Sequence, residues 1–203
     1  MQGKYQIGNA QTIGSFEFQS NYFSTLELFD SVFGVLADGT IDHENGRRAS
    51  IIATETSMLA FRHHADNMED TPLFFDLLTS QIIKNIQDKV YLGKTPYLSF
   101  TGVYIQNRLL RYFTVGENCL FIFDGQALLQ INDRAGELKL KKNDTVCLVS
   151  KGVYQALNEV SLIKILSSKK NIYDKAQIMI EAINTKNLKN ASNSTVLLIK
   201  GGL

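Results

Sequence analysis

The stretch from Asp38 to Gly46 is the densest cluster of polar side chains in the sequence that could do chemistry. It reads Asp-Gly-Thr-Ile-Asp-His-Glu-Asn-Gly and directly follows the apolar run 31–37. Such a run predicts a buried strand, so the Asp38 carboxylate would stand at the end of a strand, where Gly39 lets the backbone bend. This arrangement suits a hard divalent cation. It is also typical of a turn followed by a helix cap, and this stretch alone favours that simpler interpretation.

The rest of the sequence contains no further catalytic motif. It has no glycine-rich phosphate loop, no nucleophile elbow and no paired-histidine metal motif. Cys119 and Cys147 lie in apolar runs without metal-ligand spacing, so we interpret both as reduced core residues. We expect no membrane-spanning helix, because no uncharged apolar run approaches about 18 residues. We also expect no secretory signal, because no apolar segment follows Lys4 at the N-terminus.

The elements that position the polar stretch alternate between groups of strands and groups of helices. The helices are predicted at about 45–66, 71–93, 158–167 and 173–184. Thr71 is a candidate cap of the second helix and Pro72 suits its first position. The strands are predicted around the aromatic residues 16–23 and at 31–37, 98–105, 109–115, 120–123, 127–131, 145–150 and 195–200. This order lacks the strand–helix–strand rhythm of a parallel sheet. We therefore predict an α+β fold, a four-layer αββα sandwich of two antiparallel β-sheets flanked by helix pairs.

The sequence contains no repeat and no linker, so we predict a single domain over residues 1–203. With 44% hydrophobic residues the chain can bury a core, which excludes a disordered protein. From Leu138 onward there are eleven lysines, no arginine and four acidic residues, a net charge of +7, whereas the preceding part carries −6. These lysines are scattered and not interleaved with aromatic residues, so we interpret them as solvated faces, and nucleic acid is not the expected partner.

Five stretches, in order along the chain, resemble the motifs of the metal-dependent serine/threonine protein phosphatases, the protein phosphatase 2C-like (PPM) family. The most specific stretch spans 33–50, and its matching residues are Asp38, Gly39, His43, Gly46, Ala49 and Ser50. The other stretches are 14–21, Thr114–Asn118, Leu140–Gly152 and Ser192–Val196. The resemblance covers nearly the whole chain and implies a β-sandwich flanked by helix pairs, in agreement with the pattern of elements.

The resemblance implies a site in which acidic side chains hold two divalent cations, Mg²⁺ or Mn²⁺, and a bridging water attacks a phosphoester. The sequence keeps Asp38 and the carbonyl of Gly39, which we interpret as a vestigial metal site. Other acidic positions of the family's site are replaced by Ser20, Asn21, Glu117, Lys151 and Ser192. Of these, only Glu117 is conservative. Phe16 stands where the family's pattern has the arginine expected to hold the substrate phosphate.

Lys151 is the replacement with the largest electrostatic effect. At ~4 Å and an effective dielectric constant of ~20, one pair of like charges costs about 4 kcal/mol, or roughly a thousandfold in metal affinity. We expect Lys151 to take the place of a cation, to pair with Asp38 and to contact a phosphate. Asp42 and Glu44 could supply new carboxylates, but we interpret both as exposed or capping groups. Residues 132–137 are the only link from the predicted hairpin to the next strand, which is expected to begin at Leu138. This short link predicts a shortened flap region.

Two functions of different classes follow from these departures. The first is a pseudophosphatase without catalytic residues or cofactor, which binds a phosphoprotein, a protein kinase or an assembly subunit in signalling. The second is an active phosphoserine/phosphothreonine phosphatase with a rearranged Mg²⁺ or Mn²⁺ site. A nucleic-acid-binding module that uses the basic half has the weakest support. We expect a cytoplasmic protein without membrane contact, and the abundance of Lys, Asn and Ile suits a bacterium.

Overall fold

The computed structural model describes residues 4–39, 43–64, 71–89 and 97–201. The strands are β1 (Tyr5–Thr12), β2 (Asn21–Leu28), β3 (Ser31–Gly39), β4 (Leu98–Gln106), β5 (Leu109–Val115), β6 (Cys119–Phe123), β7 (Leu128–Ile131), β8 (Ala135–Lys139), β9 (Thr145–Val149) and β10 (Ser194–Gly201). The helices are α1 (His43–His64), α2 (Thr71–Lys89), α3 (Lys151–Ala156), α4 (Glu159–Leu166) and α5 (Ile172–Asn184).

The strands form two five-stranded antiparallel sheets. Sheet A has the order β1-β10-β9-β6-β7, and sheet B has the order β2-β3-β4-β5-β8. Strand β3 is buried along its whole length in the interior of sheet B, as its apolar run predicts. In register, Asp38 at the end of β3 lies opposite Asn21 of β2 and Ser99 of β4. Directly opposite residues of antiparallel strands have neighbouring side chains, so these three residues share one end of the sheet.

Three apolar layers hold the sandwich together. One packs helices α1 and α2 on sheet B, through residues such as Phe33, Phe61 and Phe75. The second lies between the sheets, and the third packs α3, α4 and α5 on sheet A. The predicted α+β, four-layer αββα sandwich is confirmed. The sequence predicted two helices on sheet A, whereas the described structure has three there. The additional one is the short helix α3.

Several local predictions differ from the structure. Phe16 and Phe18 were expected in a strand, but they lie in the loop between β1 and β2, where both rings are partly exposed. Strand β1 was not predicted at all. Strand β8 begins at Ala135, inside the stretch 132–137 that was expected to be a link. Its side chains include Glu137 and Lys139, and it forms the edge of sheet B beside β5, where one strand face meets water and a hydrophobic run is not required. The helix predicted from residue 45 begins at His43.

Some predictions lie outside the described residues. These are the ends of the first two helices beyond His64 and Lys89, the side chains of Thr71 and Pro72, and residue Asp42. Both cysteines are free thiols. Cys147 is buried as predicted, whereas Cys119 is only half-buried. Among the described helices, none has the length and apolar character needed to cross a membrane.

Candidate functional site

A cavity of about 340 Å³ lies where the two sheets meet at the end that carries Asp38. We call it the front cavity. Its lining residues are Phe16, Ser20, Asp38, Gly39, Glu117, Lys151, Gly152, Gln155, Ser192 and Asn193. The retained and replaced positions of the family's site all line this cavity except Asn21, which lies buried beside Asp38. Segments far apart in the sequence thus converge here because β1, β3, β5 and β9 all end, and β10 begins, at this end of the sandwich.

Asp38 is a buried carboxylate, with 6% of its surface exposed. Burial raises its pKa to about 6, because removal from water disfavours the charged form. The neighbouring Glu117 carboxylate raises this pKa further, and the Lys151 ammonium opposes the rise. Asp38 is therefore a weaker acid than an ordinary aspartate and sits in a field with charges of both signs.

Lys151 forms an ion pair with Glu117, not with Asp38. The distance from Nζ of Lys151 to Oε1 of Glu117 is 2.5 Å, and both side chains are partly exposed. No ion pair within 4.0 Å joins Lys151 to Asp38, so the expectation of that pair is wrong. The physical reason is the position of Glu117. Its backbone N–H donates to Oγ of Ser99 at 2.9 Å, which anchors the loop after β5 over the same end of the sheet.

Asn193 holds the walls of the front cavity together, a role that the sequence analysis did not assign. Its Oδ1 accepts hydrogen bonds from the N–H and the hydroxyl of Ser20, both at 2.6 Å, and its Nδ2 donates to the carbonyl of Ile13 at 2.7 Å. Its backbone carbonyl accepts from Nδ2 of Asn21 at 3.3 Å and from Oγ of Ser150 at 3.4 Å. The match of Ser192–Val196 to a family motif was the signal that could have pointed to Asn193.

Two glycines permit the close approach of these walls. A Cβ atom on Gly39 would collide with the backbone of Gly46, and one on Gly152 would collide with the carbonyl oxygen of Asn193. Side chains at these positions would push apart the segments that carry Asp38 and Lys151. Glycine is therefore required at these two positions for a steric reason, which does not depend on catalysis.

The described side chains do not provide the donor set of a two-cation site. Two carboxylates, Asp38 and Glu117, line the front cavity, and Glu117 is already paired with Lys151. Within the described ranges, no three His, Cys, Asp or Glu side chains are grouped as a metal site would require. Glu44 is exposed at the start of α1 and does not line the cavity, whereas Asp42 lies outside the described residues. Two cations held close together need several anionic oxygens, so these residues do not fit the pair of cations.

Comparisons with known proteins address the fold. No protein-family model and no curated protein matches the sequence. Among solved structures, the chain is similar to a serine/threonine phosphatase of S. agalactiae, with 17% identity, a TM-score of 0.79 and coverage of 97% of this chain and 99% of that one. It is also similar to PppA, a regulatory component of the T6SS in Pseudomonas aeruginosa, with 15% identity, a TM-score of 0.80 and coverage of 98% of each chain.

A third similar structure bears on the metal. It is the catalytic domain of the serine/threonine protein phosphatase PstP in complex with two manganese ions, with 16% identity, a TM-score of 0.77 and coverage of 98% and 99%. Identities this low establish the architecture and not the activity. Together with the two antiparallel sheets and their flanking helices, these similarities show that the chain has the fold of the protein phosphatase 2C-like serine/threonine phosphatases.

Proposed function

We propose that this chain is a degenerate member of the protein phosphatase 2C-like family, a pseudophosphatase that binds a partner instead of hydrolysing a phosphoester. The observation that carries the proposal is the ion pair between Lys151 and Glu117 in the front cavity. An ammonium group within ~4 Å of a divalent cation would cost several kcal/mol, even at an effective dielectric constant of ~20. The same ammonium is paired with one of the two carboxylates that line the cavity among the described residues, so no cofactor is part of the proposal.

The front cavity retains features that suit recognition of a phosphate group. Lys151 is the cationic side chain among its described lining residues, and its side chain is 38% exposed. A lysine ammonium binds phosphate as a point charge, and the cavity is large enough for one phosphorylated side chain. The proposed partner is a phosphoprotein, a protein kinase or a subunit of a signalling assembly. The regulatory role of PppA in the T6SS and the bacterial sources of the similar structures support a signalling role in a bacterial cytoplasm.

The experiment that tests the proposal restores the missing carboxylates. Mn²⁺ is titrated by calorimetry into the metal-free wild-type protein and into the double variant Lys151→Asp, Ser192→Asp, and hydrolysis of p-nitrophenyl phosphate is measured in the same buffer. We expect no saturable Mn²⁺ binding and no turnover for the wild type. We expect the double variant to gain Mn²⁺ affinity. The double variant Lys169→Asp, Lys170→Gln, which changes the charge by the same three units at an exposed turn, is the matched control and should gain nothing.

The alternative is an active Mg²⁺- or Mn²⁺-dependent phosphoserine/phosphothreonine phosphatase with a rearranged site. It is favoured by one observation, that Asp38 and Glu117 line the same cavity. This alternative requires the wild type to bind Mn²⁺ in the micromolar range and to turn over substrate, and it requires Asp38→Ala to abolish both. That set of results would overturn the pseudophosphatase proposal.

A further inference from the structure

A second cavity, of about 480 Å³, lies at the opposite end of the β-sandwich. We call it the rear cavity. Its lining residues are Lys4, Tyr5, Ile105, Asn107, Arg108, Leu140, Lys141, Lys142, Asp144 and Gly201. Strand β4 connects the two ends, since it begins beside Asp38 and finishes at Gln106, next to the turn that carries Arg108. The rear cavity shares no lining residue with the front cavity and does not depend on the function proposed for it.

The rim of the rear cavity is strongly cationic. It has the side chains of Lys4, Arg108, Lys141 and Lys142 against one carboxylate, that of Asp144. Oδ2 of Asp144 is already engaged, because it accepts a hydrogen bond from the backbone N–H of Lys141 at 2.8 Å. Nζ of Lys141 lies 3.8 Å from Oδ2 of Asp124. Among the described residues no carboxylate pairs with Arg108 or Lys142, so these two cations attract an anion.

The floor of the rear cavity is apolar and preformed. Tyr5, Ile105 and Leu140 are buried, and all three contribute to the apolar layer between the sheets. The hydroxyl of Tyr5 lies 3.0 Å from the carbonyl oxygen of Asp30 and 3.1 Å from that of Ile105, which fixes the ring across the two sheets. A cationic rim above an apolar floor selects an organic anion over a bare inorganic one.

Arg108 stands in a backbone conformation that favours glycine. The turn between the paired residues Gln106 and Leu109 consists of Asn107, with φ of 51°, and Arg108, with φ of 64°. A two-residue hairpin turn with both φ values positive normally has Asn followed by Gly. Arginine at the second position is strained, and such strain marks positions that are kept for a function.

One acceptor at the rear cavity has no partner. Oδ1 of Asp144 is buried and lacks a hydrogen-bond partner among the described residues. Because this oxygen is inaccessible from the cavity, it lies behind the wall and is not a contact for a ligand. The volume of the cavity lies within the range of about 300–1,000 Å³ that is typical of small-molecule sites.

We propose that the rear cavity binds a small organic phosphate with a flat ring, such as a nucleoside monophosphate. Arg108 and Lys142 hold the phosphate, Arg108 through its planar pair of N–H donors. The ring lies on the floor formed by Tyr5, Ile105 and Leu140. The turn 141–144, which Asp144 orders through its bond to Lys141, closes one side.

The test uses adenosine 5′-monophosphate as the probe and measures its affinity by calorimetry. Adenosine and inorganic phosphate are titrated separately, because each carries only half of the proposed interactions. We expect saturable binding of the nucleotide and at least about tenfold weaker binding of either half, because adenosine lacks the charge-assisted contacts and inorganic phosphate lacks the apolar contact of the ring. Arg108→Gly and Lys142→Gln should each weaken nucleotide binding at least about tenfold. Lys169→Gln should leave it unchanged, and Lys151→Gln measures any nucleotide that binds in the front cavity instead.

Arg108→Gly keeps the test independent of folding. Glycine is the residue that the turn favours, so this variant should unfold at a higher temperature than the wild type while it loses affinity for the nucleotide. Three results would overturn the proposal. They are the absence of saturable nucleotide binding, equal affinities for nucleotide and inorganic phosphate, and binding that Lys151→Gln removes but Arg108→Gly does not.

Discussion

Asp38 keeps its carboxylate in an environment that disfavours the negative charge. The side chain is almost fully buried, and burial together with Glu117 raises its pKa to about 6. A carboxyl group whose pKa is higher in the folded than in the unfolded chain binds protons more tightly when folded. Asp38 therefore reduces the stability of the fold as the pH rises from about 4 to about 6, and this loss is complete above the folded pKa.

The substitution Asp38→Asn should stabilise the protein at neutral pH. The shift from 3.8 to about 6 corresponds to a gain of up to about 3 kcal/mol in the free energy of unfolding at pH 7.5, at about 1.4 kcal/mol per pKa unit. Below about pH 3 the Asp38 carboxyl is protonated in both the folded and the unfolded chain, since even the lower pKa is 3.8, so wild type and variant should have the same stability. Urea unfolding at several pH values measures the difference.

The control for this prediction is Asp88→Asn, which removes an exposed carboxylate from α2. It should change the free energy of unfolding by less than about 0.5 kcal/mol at either pH. If Asp38→Asn destabilises the protein at pH 7.5, the carboxylate is satisfied by contacts that offset its burial.

Lys151 should affect the titration of Asp38 more than it affects stability. Its ion pair with Glu117 is about half exposed, so Lys151→Gln should change the free energy of unfolding by no more than about 1 kcal/mol. The same variant removes the cation that lowers the pKa of Asp38, so this pKa should rise above that of the wild type. A carbon-detected NMR titration of the Asp38 carboxyl measures it. An unchanged pKa would mean that Lys151 does not act on Asp38.

At the scale of elements, hydrophobic periodicity predicted the strands and helices whose pattern lies within one segment of the sequence. The run 31–37 became β3, and the helical spacing of residues 173–184 became α5. The same reasoning missed β1, an edge strand that pairs with β10, and α3, which has only six residues. It also placed the start of β8 at Leu138 instead of Ala135. The sequence analysis further predicted an ion pair between Lys151 and Asp38, which the structure does not have. A motif match aligns positions along the sequence, but it does not show where the loop that carries Glu117 lies in space.

Asn193 is the residue on which the loop between β1 and β2 depends. It is buried, and its Oδ1 accepts both the backbone N–H and the hydroxyl of Ser20, which is buried as well. In Asn193→Ala both donors would lose their acceptor inside the protein, so we expect a loss of about 3 kcal/mol in the free energy of unfolding. Chemical denaturation measures the loss.

Asn184→Ala is the matched control, because this asparagine is exposed at the end of α5. Its effect should stay within about 0.5 kcal/mol. An equally small effect for Asn193→Ala would mean that water replaces the lost acceptor. In that case Asn193 would not hold the cavity walls together.

At the scale of the whole molecule, the two cavities occupy opposite ends of one packed sandwich. Nine residues of β4 separate them, which is roughly 30 Å at about 3.3 Å per residue. The space between is filled by the apolar layer that joins the sheets, including the fully buried Leu36, Leu148 and Leu197. Close-packed cores of this kind hold both ends in fixed positions, so each cavity is built on the same rigid support.

This separation predicts that substitutions at the two ends have additive effects on stability. Arg108→Gly should add about 1 kcal/mol to the free energy of unfolding, because glycine adopts the positive φ of this turn without strain. Combined with Asp38→Asn, the gain at pH 7.5 should equal the sum of the single gains within about 0.5 kcal/mol, since residues this far apart share no partner. A urea-unfolding cycle of the wild type, both single variants and the double variant measures the sum. A larger deviation would mean that the core transmits a change from one cavity to the other, and a ligand in the rear cavity would then act on the front one.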